Sequence, residues 1–381
     1  MMNAAGIQLT LLIGNMVPLP ASPTLVEALA SVEVTHNDSG PSTFSLQFNA
    51  DRASPIAVPD FPMLFERTVA VGNRVIVVVT IDLVPYVLMD GFITQQSLAH
   101  SRESGASTIS VIGEDVGVQM DLHEKSLSYP TFGDTEIVDA ILAQYAMYGI
   151  IPIVMPTMTD IVTVPLERTP QQNETDRARI NALCQKHGYV FLVRPGEVPG
   201  TNYAYFGPPP RASLPQPALT VDMGAATNVE NISFTYDGLR ATTFEGLTQD
   251  DETETDDPVL AVIPTRIPLA LEPAVVFQQP FVRSRLYTDP RWDEAEALAY
   301  AQSQLDLSTD RVVTGNGTLD TLRYNGILDV PGLVGVRGAG LSYDGLYYVN
   351  SVTHTIARGS YSQNFQISRE GLMSTVPVVV P

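Results

Sequence analysis

Apolar and polar residues alternate over much of the first third of the chain, which is the pattern of half-buried strands. The first predicted strand contains the alternating apolar residues Ile7, Leu9, Leu11 and Ile13. Further strands are predicted at 43–50, 74–81, 86–100 and 107–115. The turn-rich stretches NDSGPS and RESGA lie among them. Residues 1–122 are therefore expected to form one antiparallel barrel or sandwich.

The pattern changes to a helical period after this region. Three residues at helical spacing share one face, namely Ile137, Ile141 and Tyr145. Asp134 or Thr135 is expected to cap this helix and Gly149 to end it, before a strand in IIPIV.

The same order recurs in NETDRARINALCQKHGYVFLV. Asn173 is the predicted N-cap, Gly188 stops the helix, and a strand follows. The apolar stripe of this helix consists of Ile180, Leu183 and Cys184. Two helix-strand units predict a small α/β domain over residues 123–227.

A strand pattern returns at 228–238 and is interrupted by QDDETETDDP, which has six carboxylates between Asp250 and Asp257 and no cation. Like charges at this density repel each other, and burying them without partners is costly. Residues 249–257 are therefore expected to be exposed and mobile. A calcium loop is the alternative, but the stretch lacks the EF-hand spacing and its glycine.

The next region is expected to be a linker or an extended arm. Its prolines argue against a long helix, and they are Pro258, Pro264, Pro268, Pro273 and Pro280. A helix follows, with Asp289 as its predicted cap and Pro290 in its first turn. Trp292, the single tryptophan, is interpreted as a packing anchor. Residues 249–310 are thus predicted to be an arm plus a helix, inserted between strand-rich segments at 228–248 and 311–381.

The end of the chain reads as a β-hairpin around the turn ARGS. Val352 and Ile356 share a face with His354 on its first strand, and Phe365 and Ile367 lie on the second. His354 therefore falls on the inward register. We interpret it as a packing residue with one or two hydrogen bonds, and a catalytic histidine is the alternative.

Composition narrows the class of protein further. The chain has 381 residues, which suggests two to three domains, and a net charge of -21, which argues against stable nucleic-acid binding. One cysteine, Cys184, gives no disulfide framework and no zinc cluster. The apolar N-terminal run precedes the first cation, Arg52, so it is interpreted as a strand and no signal peptide is expected. No apolar stretch reaches the ~20 residues of a membrane-spanning helix, so membrane insertion is not expected.

Motifs of chemistry are absent from the sequence. It has no G-x-S-x-G, no P-loop and no G-x-G-x-x-G, and HEKSL at His123 lacks the second histidine of a zinc-protease helix. A glycosidase pair cannot be recognised among 42 carboxylates. The prediction is therefore a protein without catalytic, cofactor-binding or metal-binding residues, and without a cofactor.

Three stretches in order resemble the baseplate hub proteins of contractile phage tails and related injection systems, the late control D-like hub family. The opening strands are similar in IQLTLLIGNMVPLPASPTLVEALASVEVTH. The helix, glycine and strand of NETDRARINALCQKHGYVFLVRPG resemble an internal segment of that family. GILDVPGLVGVRGAGLSYDGLYYVNSVTHTIARGSYSQNFQISREGL resembles its C-terminal signature. The resemblance covers essentially the whole chain.

This resemblance implies a structural protein of β-rich α+β class. It implies two tube-like antiparallel β-barrels, one at 1–122 and a discontinuous one at 228–248 and 311–381, with the small α/β domain between them. Three chains would form a pseudo-sixfold ring between the hexameric inner tube and the trimeric central spike. The chain ends without a spike module, so the spike is expected to be a separate protein.

The implied partners are a homotrimer of this chain, the spike, the tail tube protein, and the baseplate wedge and tape-measure proteins. The implied location is the baseplate of a tail or injection particle assembled in the bacterial cytoplasm. A receptor- or glycan-binding protein of the tail tip is the alternative, and a cell-wall hydrolase of the tip is a weaker one.

Overall fold

A computed structural model of the chain describes residues 2–4, 7–50, 61–101, 106–157, 170–249, 256–288 and 294–376. The strands of the first half are β1 (Met2–Ala4), β2 (Ile7–Gly14), β3 (Leu19–Pro20), β4 (Leu29–Asn37), β5 (Thr43–Ala50), β6 (Arg74–Ile81), β7 (Val84–Ala99), β8 (Ser107–Asp115), β9 (Glu124–Ser128), β10 (Ile150–Val154), β11 (Gln171–Thr175) and β12 (Val190–Pro195). Those of the second half are β13 (Asn202–Gly207), β14 (Gln216–Thr220), β15 (Val229–Tyr236), β16 (Thr242–Gln249), β17 (Asp256–Ala261), β18 (Ala270–Pro273), β19 (Arg283–Tyr287), β20 (Val313–Asp320), β21 (Gly332–Arg337), β22 (Gly345–Ala357), β23 (Ser360–Arg369) and β24 (Gly371–Ser374). The helices are α1 (Pro23–Ala28), α2 (Pro62–Phe65), α3 (Asp134–Ala143), α4 (Asp176–His187), α5 (Ala274–Phe277), α6 (Glu294–Thr309) and α7 (Thr321–Tyr324).

One large sheet joins the two ends of the chain. Its strand order is β1-β2-β6-β7-β8-β5-β4-β22-β23-β20-β15, with β3 beside β2, and with β14 beside β21, which pairs with β22. The β14–β21 pair is parallel. The sheet therefore runs without interruption from the first predicted strand-rich region into the second.

The two halves of this sheet repeat the same strand order. β6-β7-β8-β5-β4 in the first half corresponds to β21-β22-β23-β20-β15 in the second. The largest difference between the halves is in their first connection, because β4 passes to β5 through residues 38–42, whereas β15 passes to β20 through residues 237–312. The second half thus carries a large insert at the position of a short turn.

The strands predicted from alternation are confirmed. β5, β6 and β8 have the predicted bounds, and β7 runs from Val84 to Ala99. The alternating residues of β2 that were predicted to face inward are buried, namely Ile7, Leu9, Leu11 and Ile13. They belong to the same core as Ile356 and Tyr361 of the last hairpin, so the ends of the chain fold together.

Both predicted helix-strand units are present between the halves of the sheet. α3 precedes β10, α4 precedes β12, and the two strands lie on either side of β13. Gly188 adopts the left-handed conformation that ends α4, as predicted.

The predicted helix caps are wrong in both units. Asn173 lies in β11, which pairs with β9, and the side chain of Thr175 caps α4 by accepting from the backbone of Ala178. Gly133 occupies the N-cap of α3, and its N–H donates to the Glu136 carboxylate. β11 extends to Thr175, two residues beyond the predicted cap Asn173, so α4 begins later than predicted.

The helix predicted within residues 249–310 is present as α6, but the described residues before it do not form a linker or an extended arm. β17, β16 and β19 form a three-stranded sheet, and α6 packs on one face of it. β16 lies in this sheet rather than in the second half of the large sheet. Residues 250–255 of the acidic stretch, the predicted cap Asp289 with Pro290, and Trp292 lie outside the described residues.

The β-rich class is confirmed, while the division into two barrels is not. Among the described residues, no strand pairing closes either half of the large sheet on itself. One boundary also shifts, because β14, placed in the small α/β domain by the sequence, pairs with β21 of the large sheet. The remaining domain boundaries stay predictions.

Candidate assembly site

The two halves of the large sheet meet where β4 pairs with β22. Residues 31–37 lie antiparallel to residues 351–357. At the centre of this joint the hydroxyl oxygens of Thr35 and Thr353 are 3.0 Å apart. The joint is a backbone ladder between two similar halves, and strand addition can form the same kind of ladder between separate chains.

A buried carboxylate fixes one end of the joint. Asp38 donates its backbone N–H to the Asn350 carbonyl at 2.9 Å and accepts from Asn350 Nδ2 at 3.1 Å. Arg311 Nη2 donates to both Asp38 oxygens, at 3.0 and 3.2 Å. Since Arg311 lies just before β20, this cluster ties β4, β22 and β20 together.

His354 lies on the core face of this joint, and its predicted burial is confirmed. Its Nδ1 is 3.0 Å from the Tyr361 hydroxyl, and its ring centroid is 5.6 Å from that of His36 on β4. Burial, reinforced by His36, holds the pKa of His354 well below its usual range. Burial also lowers the pKa of His36 to about 4. Two neutral imidazoles therefore pack in the joint at neutral pH.

β-bulges lie at equivalent places in the two halves of the sheet, so each residue of these strands in one half can be matched to one residue in the other. β4 has its bulge between Leu29 and Ser31 opposite β5, and β15 has one between Val229 and Asn231 opposite β20. β7 and β22 each have a bulge too, at 93–95 opposite β8 and at 349–351 opposite β23. Thr35 therefore corresponds to Thr235, and Thr353 corresponds to Ser97.

The correspondence reveals two open edges in the sheet. Within the described residues, β15 pairs on one side only, with β20, and residues 95–99 of β7 pair only with β8. The corresponding strands of the joint, β4 and β22, are paired on both sides at these positions. We refer to the outer side of β15 and to the outer side of residues 95–99 as the open edges.

The side chains at the open edges alternate as they do at the joint. On β15, the half-buried residues Ile232, Phe234 and Tyr236 pack against the core of the second half. On β7, Leu98 is half-buried between exposed Ser97 and Ala99. Each edge therefore continues a core face that is partly uncovered in the single chain.

The first half of the sheet is held against the small α/β layer by a buried ion pair. Arg74 donates to both oxygens of Asp90, at 2.6 and 2.7 Å, and its Nη2 also donates to the Tyr148 carbonyl at 3.0 Å. Asn202 donates to the same carboxylate at 3.1 Å. Such bidentate contacts fix relative orientation as well as distance.

In the part of the chain that the structure describes, the other candidate residues from the sequence do not form a metal site. Among the described residues, no three His, Cys, Asp or Glu side chains meet where they could hold a metal ion. Cys184 is buried in α4, and burial raises the pKa of its thiol. His123 is exposed in front of β9.

Sequence reasoning missed the residues of the open edges, Ser97 and Thr235 among them. The match between the two repeats rests on strand order and bulge position rather than on a sequence period. The signal lies in backbone register and bulge position, which side-chain patterns do not record.

In the described part of the chain, no helix has the length and apolar character needed to cross a membrane. No protein-family model matches the sequence, and no curated protein matches it.

Solved structures with a similar fold come from phage tails and from a secretion system. A tail protein from Neisseria meningitidis is 15% identical, with a TM-score of 0.65, over 97% of this chain and 98% of its own. The 43 kDa tail protein of prophage MuSo2 from Shewanella oneidensis is 13% identical, with a TM-score of 0.64, over 96% and 98%. The E. coli protein c3393, a type VI secretion component with structural similarity to the T4 tail proteins gp27 and gp5, is 13% identical, with a TM-score of 0.54, over 93% of this chain and 77% of its own. The chain therefore has the fold shared by these phage tail proteins and this tail-like secretion component.

Proposed function

We propose that the chain is the structural hub of a contractile phage tail or of a phage tail-like injection system. In this role it forms a homotrimeric ring that joins the hexameric inner tube to the trimeric central spike, without catalysis. The observation that carries the proposal is the duplicated sheet, which has one joint inside the chain and a matching pair of open edges. The shared fold with tail proteins supports the setting.

A ring follows if the joint is repeated between chains. β15 of one chain would pair with residues 95–99 of the next, as β4 pairs with β22 within the chain. This contact is head to tail, and such contacts generate closed rings when the rotation fits. Three chains with two halves each then supply six similar positions, which match a sixfold tube on one side and a threefold spike on the other.

The bulges fix the register of this contact. Transferring the joint residue by residue places Ser97 of one chain opposite Thr235 of the next, as Thr353 lies opposite Thr35. It also places Leu98 opposite Phe234. The contact would cover the half-buried apolar residues at both open edges and would pair two hydroxyl side chains at its centre.

Cysteine cross-linking tests this register directly. In the variant Ser97→Cys/Thr235→Cys, oxidation should link neighbouring chains and give covalent dimers and trimers under non-reducing denaturing conditions. Thr35→Cys/Thr353→Cys is the matched control, because the same joint should form its disulfide within one chain. The native thiol of Cys184 is buried and does not interfere.

Controls separate register from mere proximity. Ser97→Cys/Ser233→Cys shifts the pair by two residues on the same face and should link poorly. Light scattering of the wild type, alone or with tube or spike protein, should give three times 41.3 kDa. A chain that stays monomeric with both partners, or equal linking in both registers, contradicts the proposal.

The proposed ring leaves its two faces for other components. Tail tube protein would stack on one face, a separate spike protein on the other, and baseplate wedge and tape-measure proteins would contact the assembly. Co-purification of the trimer with each candidate, and its loss when ring formation is blocked by Ser97→Asp/Thr235→Asp, tests this arrangement. The two exposed side chains lie opposite each other across the proposed contact, so the variant places like charges together there.

A further inference from the structure

The insert of the second half carries a groove lined by three arginines in a chain of net charge -21. The groove has a volume of about 410 Å³ and lies between β19 and α6. Its arginines are Arg240, Arg283 and Arg285, with Phe244 and Leu307 among the apolar residues of its wall. We refer to it as the arginine groove.

None of these three guanidinium groups has a carboxylate partner within the described ranges. The nearest acidic member of the groove, Asp237, accepts instead from the backbone N–H of Leu239 at 3.1 Å. Among the residues that the structure describes, the groove therefore presents positive charge without a paired carboxylate.

Strand register explains why the arginines point into the groove. Arg283 lies opposite Thr242 and Arg285 opposite Phe244 on β16. Both belong to the face on which Tyr287 is buried, since residues two apart share a face. They stay exposed because β19 is the outermost strand of this sheet in the described part of the chain.

The opposite face of β19 carries Ser284 and Leu286, and both are exposed. Leu286 is 75% exposed, and Ser284 donates to the Glu245 carboxylate of β16 at 2.7 Å. A strand added beside β19 would therefore meet two arginines on one face, and Ser284 with exposed Leu286 on the other. Its backbone would complete the unpaired side of β19.

We propose that β19 receives an extended segment of a partner protein by strand addition, and that this segment alternates carboxylates with apolar residues. The carboxylates lie in the arginine groove against Arg283 and Arg285, and the apolar residues lie beside Leu286. Backbone hydrogen bonds supply affinity, and the alternating side chains supply specificity. This contact is independent of the open edges, so it does not require the proposed ring.

Charge favours an acidic protein segment over a nucleic acid. A nucleic acid would bring phosphates to the arginines but would be repelled by the rest of so acidic a chain. Binding of a second copy of this chain would show as a higher molecular mass in solution. The spacing of two residues between Arg283 and Arg285 matches a strand, whose side chains repeat with that period.

The test uses the full-length protein and fluorescein-labelled seven-residue peptides. A peptide alternating glutamate and valine should bind at about 50 mM salt and weaken at about 500 mM. A peptide of the same composition with its glutamates in one block should bind at least about tenfold more weakly, because it cannot place carboxylates on one face.

Variants locate the binding. Arg283→Glu/Arg285→Glu should weaken the alternating glutamate peptide at least about tenfold and should gain binding of an alternating lysine-valine peptide. Arg67→Glu/Arg358→Glu changes two exposed arginines elsewhere by the same charge and should leave the binding unchanged. All variants should keep the wild-type circular dichroism, since the four side chains are exposed.

Four results overturn the proposal. They are equal weakening in the groove and control variants, equal affinity for the alternating and block peptides, displacement of the peptide by oligo(dT) that depends on Arg283 and Arg285, and a wild-type oligomer that dissociates only in the groove variant. The last result would identify a second copy of this chain as the occupant.

Discussion

Arg211 donates from Nη2 to the Asp310 carboxylate at 2.6 Å, and this contact joins the loop after β13 to the residue just beyond α6. The same guanidinium donates from Nη1 to Glu370 at 2.9 Å, and Arg266 Nε lies 2.9 Å from Asp310. Glu370 also accepts from the backbone N–H of Ala270 at 2.6 Å. Two positive and two negative side chains thus hold the small α/β layer, the insert and the end of the large sheet together.

Removal of Arg211 should destabilise the chain strongly. Burial raises the pKa of Asp310, and Arg211 and Arg266 oppose that effect. Arg211→Met leaves buried carboxylates without this partner, so the free energy of unfolding should fall by about 3–5 kcal/mol. Urea unfolding measures the change. Arg323→Met, which removes an exposed pair with Asp320, should cost less than about 1 kcal/mol.

Acid should weaken the joint between the halves. The pKa of His36 is about 4 in the folded chain and about 6.5 in the unfolded chain. Since the folded pKa is lower, protonation favours the unfolded state, so stability is complete above about pH 6.5 and declines toward pH 4. The full effect of His36 is about 3 kcal/mol by about pH 4, and His354 adds in the same direction.

The acid sensitivity of the joint is tested by measuring the free energy of unfolding between pH 7 and pH 4.5. His36→Gln/His354→Gln should flatten its pH dependence, whereas the exposed substitution His123→Gln should not. An unchanged slope in the double variant would assign the acid sensitivity to other groups.

His354→Gln alone should leave assembly largely intact, because the imidazole of His354 packs between apolar neighbours such as Val352 and Ile356. The variant should elute at the wild-type mass in size exclusion with light scattering. Metal analysis of the purified wild type is the complementary measurement. Stoichiometric zinc or iron that disappears in the variant would refute the packing role.

The acidic stretch at 249–257 should be the first site of limited proteolysis by an acidic-site protease. Six carboxylates without a cation favour an exposed chain there. Gln249 and Asp256, at its two ends, are paired as the last residues of β16 and the first of β17. Mass spectrometry of the early fragments reports the cleavage site, and resistance of the stretch with cuts elsewhere would indicate that it docks on a surface.

Sequence pattern predicted the strands well where one face is buried and the other exposed. β5 and β8 have the predicted bounds because their alternation is regular, and β6 has them because it is a short apolar run that follows the turn residues Gly72 and Asn73. The insert was misread for a physical reason. Prolines and like charges argue against helices and buried strands, but Pro258 lies at an edge strand, β17, where its missing N–H costs little.

The open edges could not be predicted from the sequence for a different reason. Val352, His354 and Ile356 show which face is buried, but the choice of β4 as their partner depends on residues more than 300 positions away. Thr35 and Thr353 have no local feature that predicts their contact. The correspondence with Thr235 and Ser97 emerges only from ladder register.

The unequal connection between the repeats has an evolutionary and geometric consequence. In a ring of identical subunits, every addition to a loop appears at every position around the axis. Fusing two copies in one gene releases them from that constraint, so the 237–312 segment could grow in one copy while its counterpart stayed at 38–42. Around the proposed ring the insert would recur at every second of six positions. A ring of six similar halves would therefore carry three equivalent inserts and would have threefold symmetry where they lie.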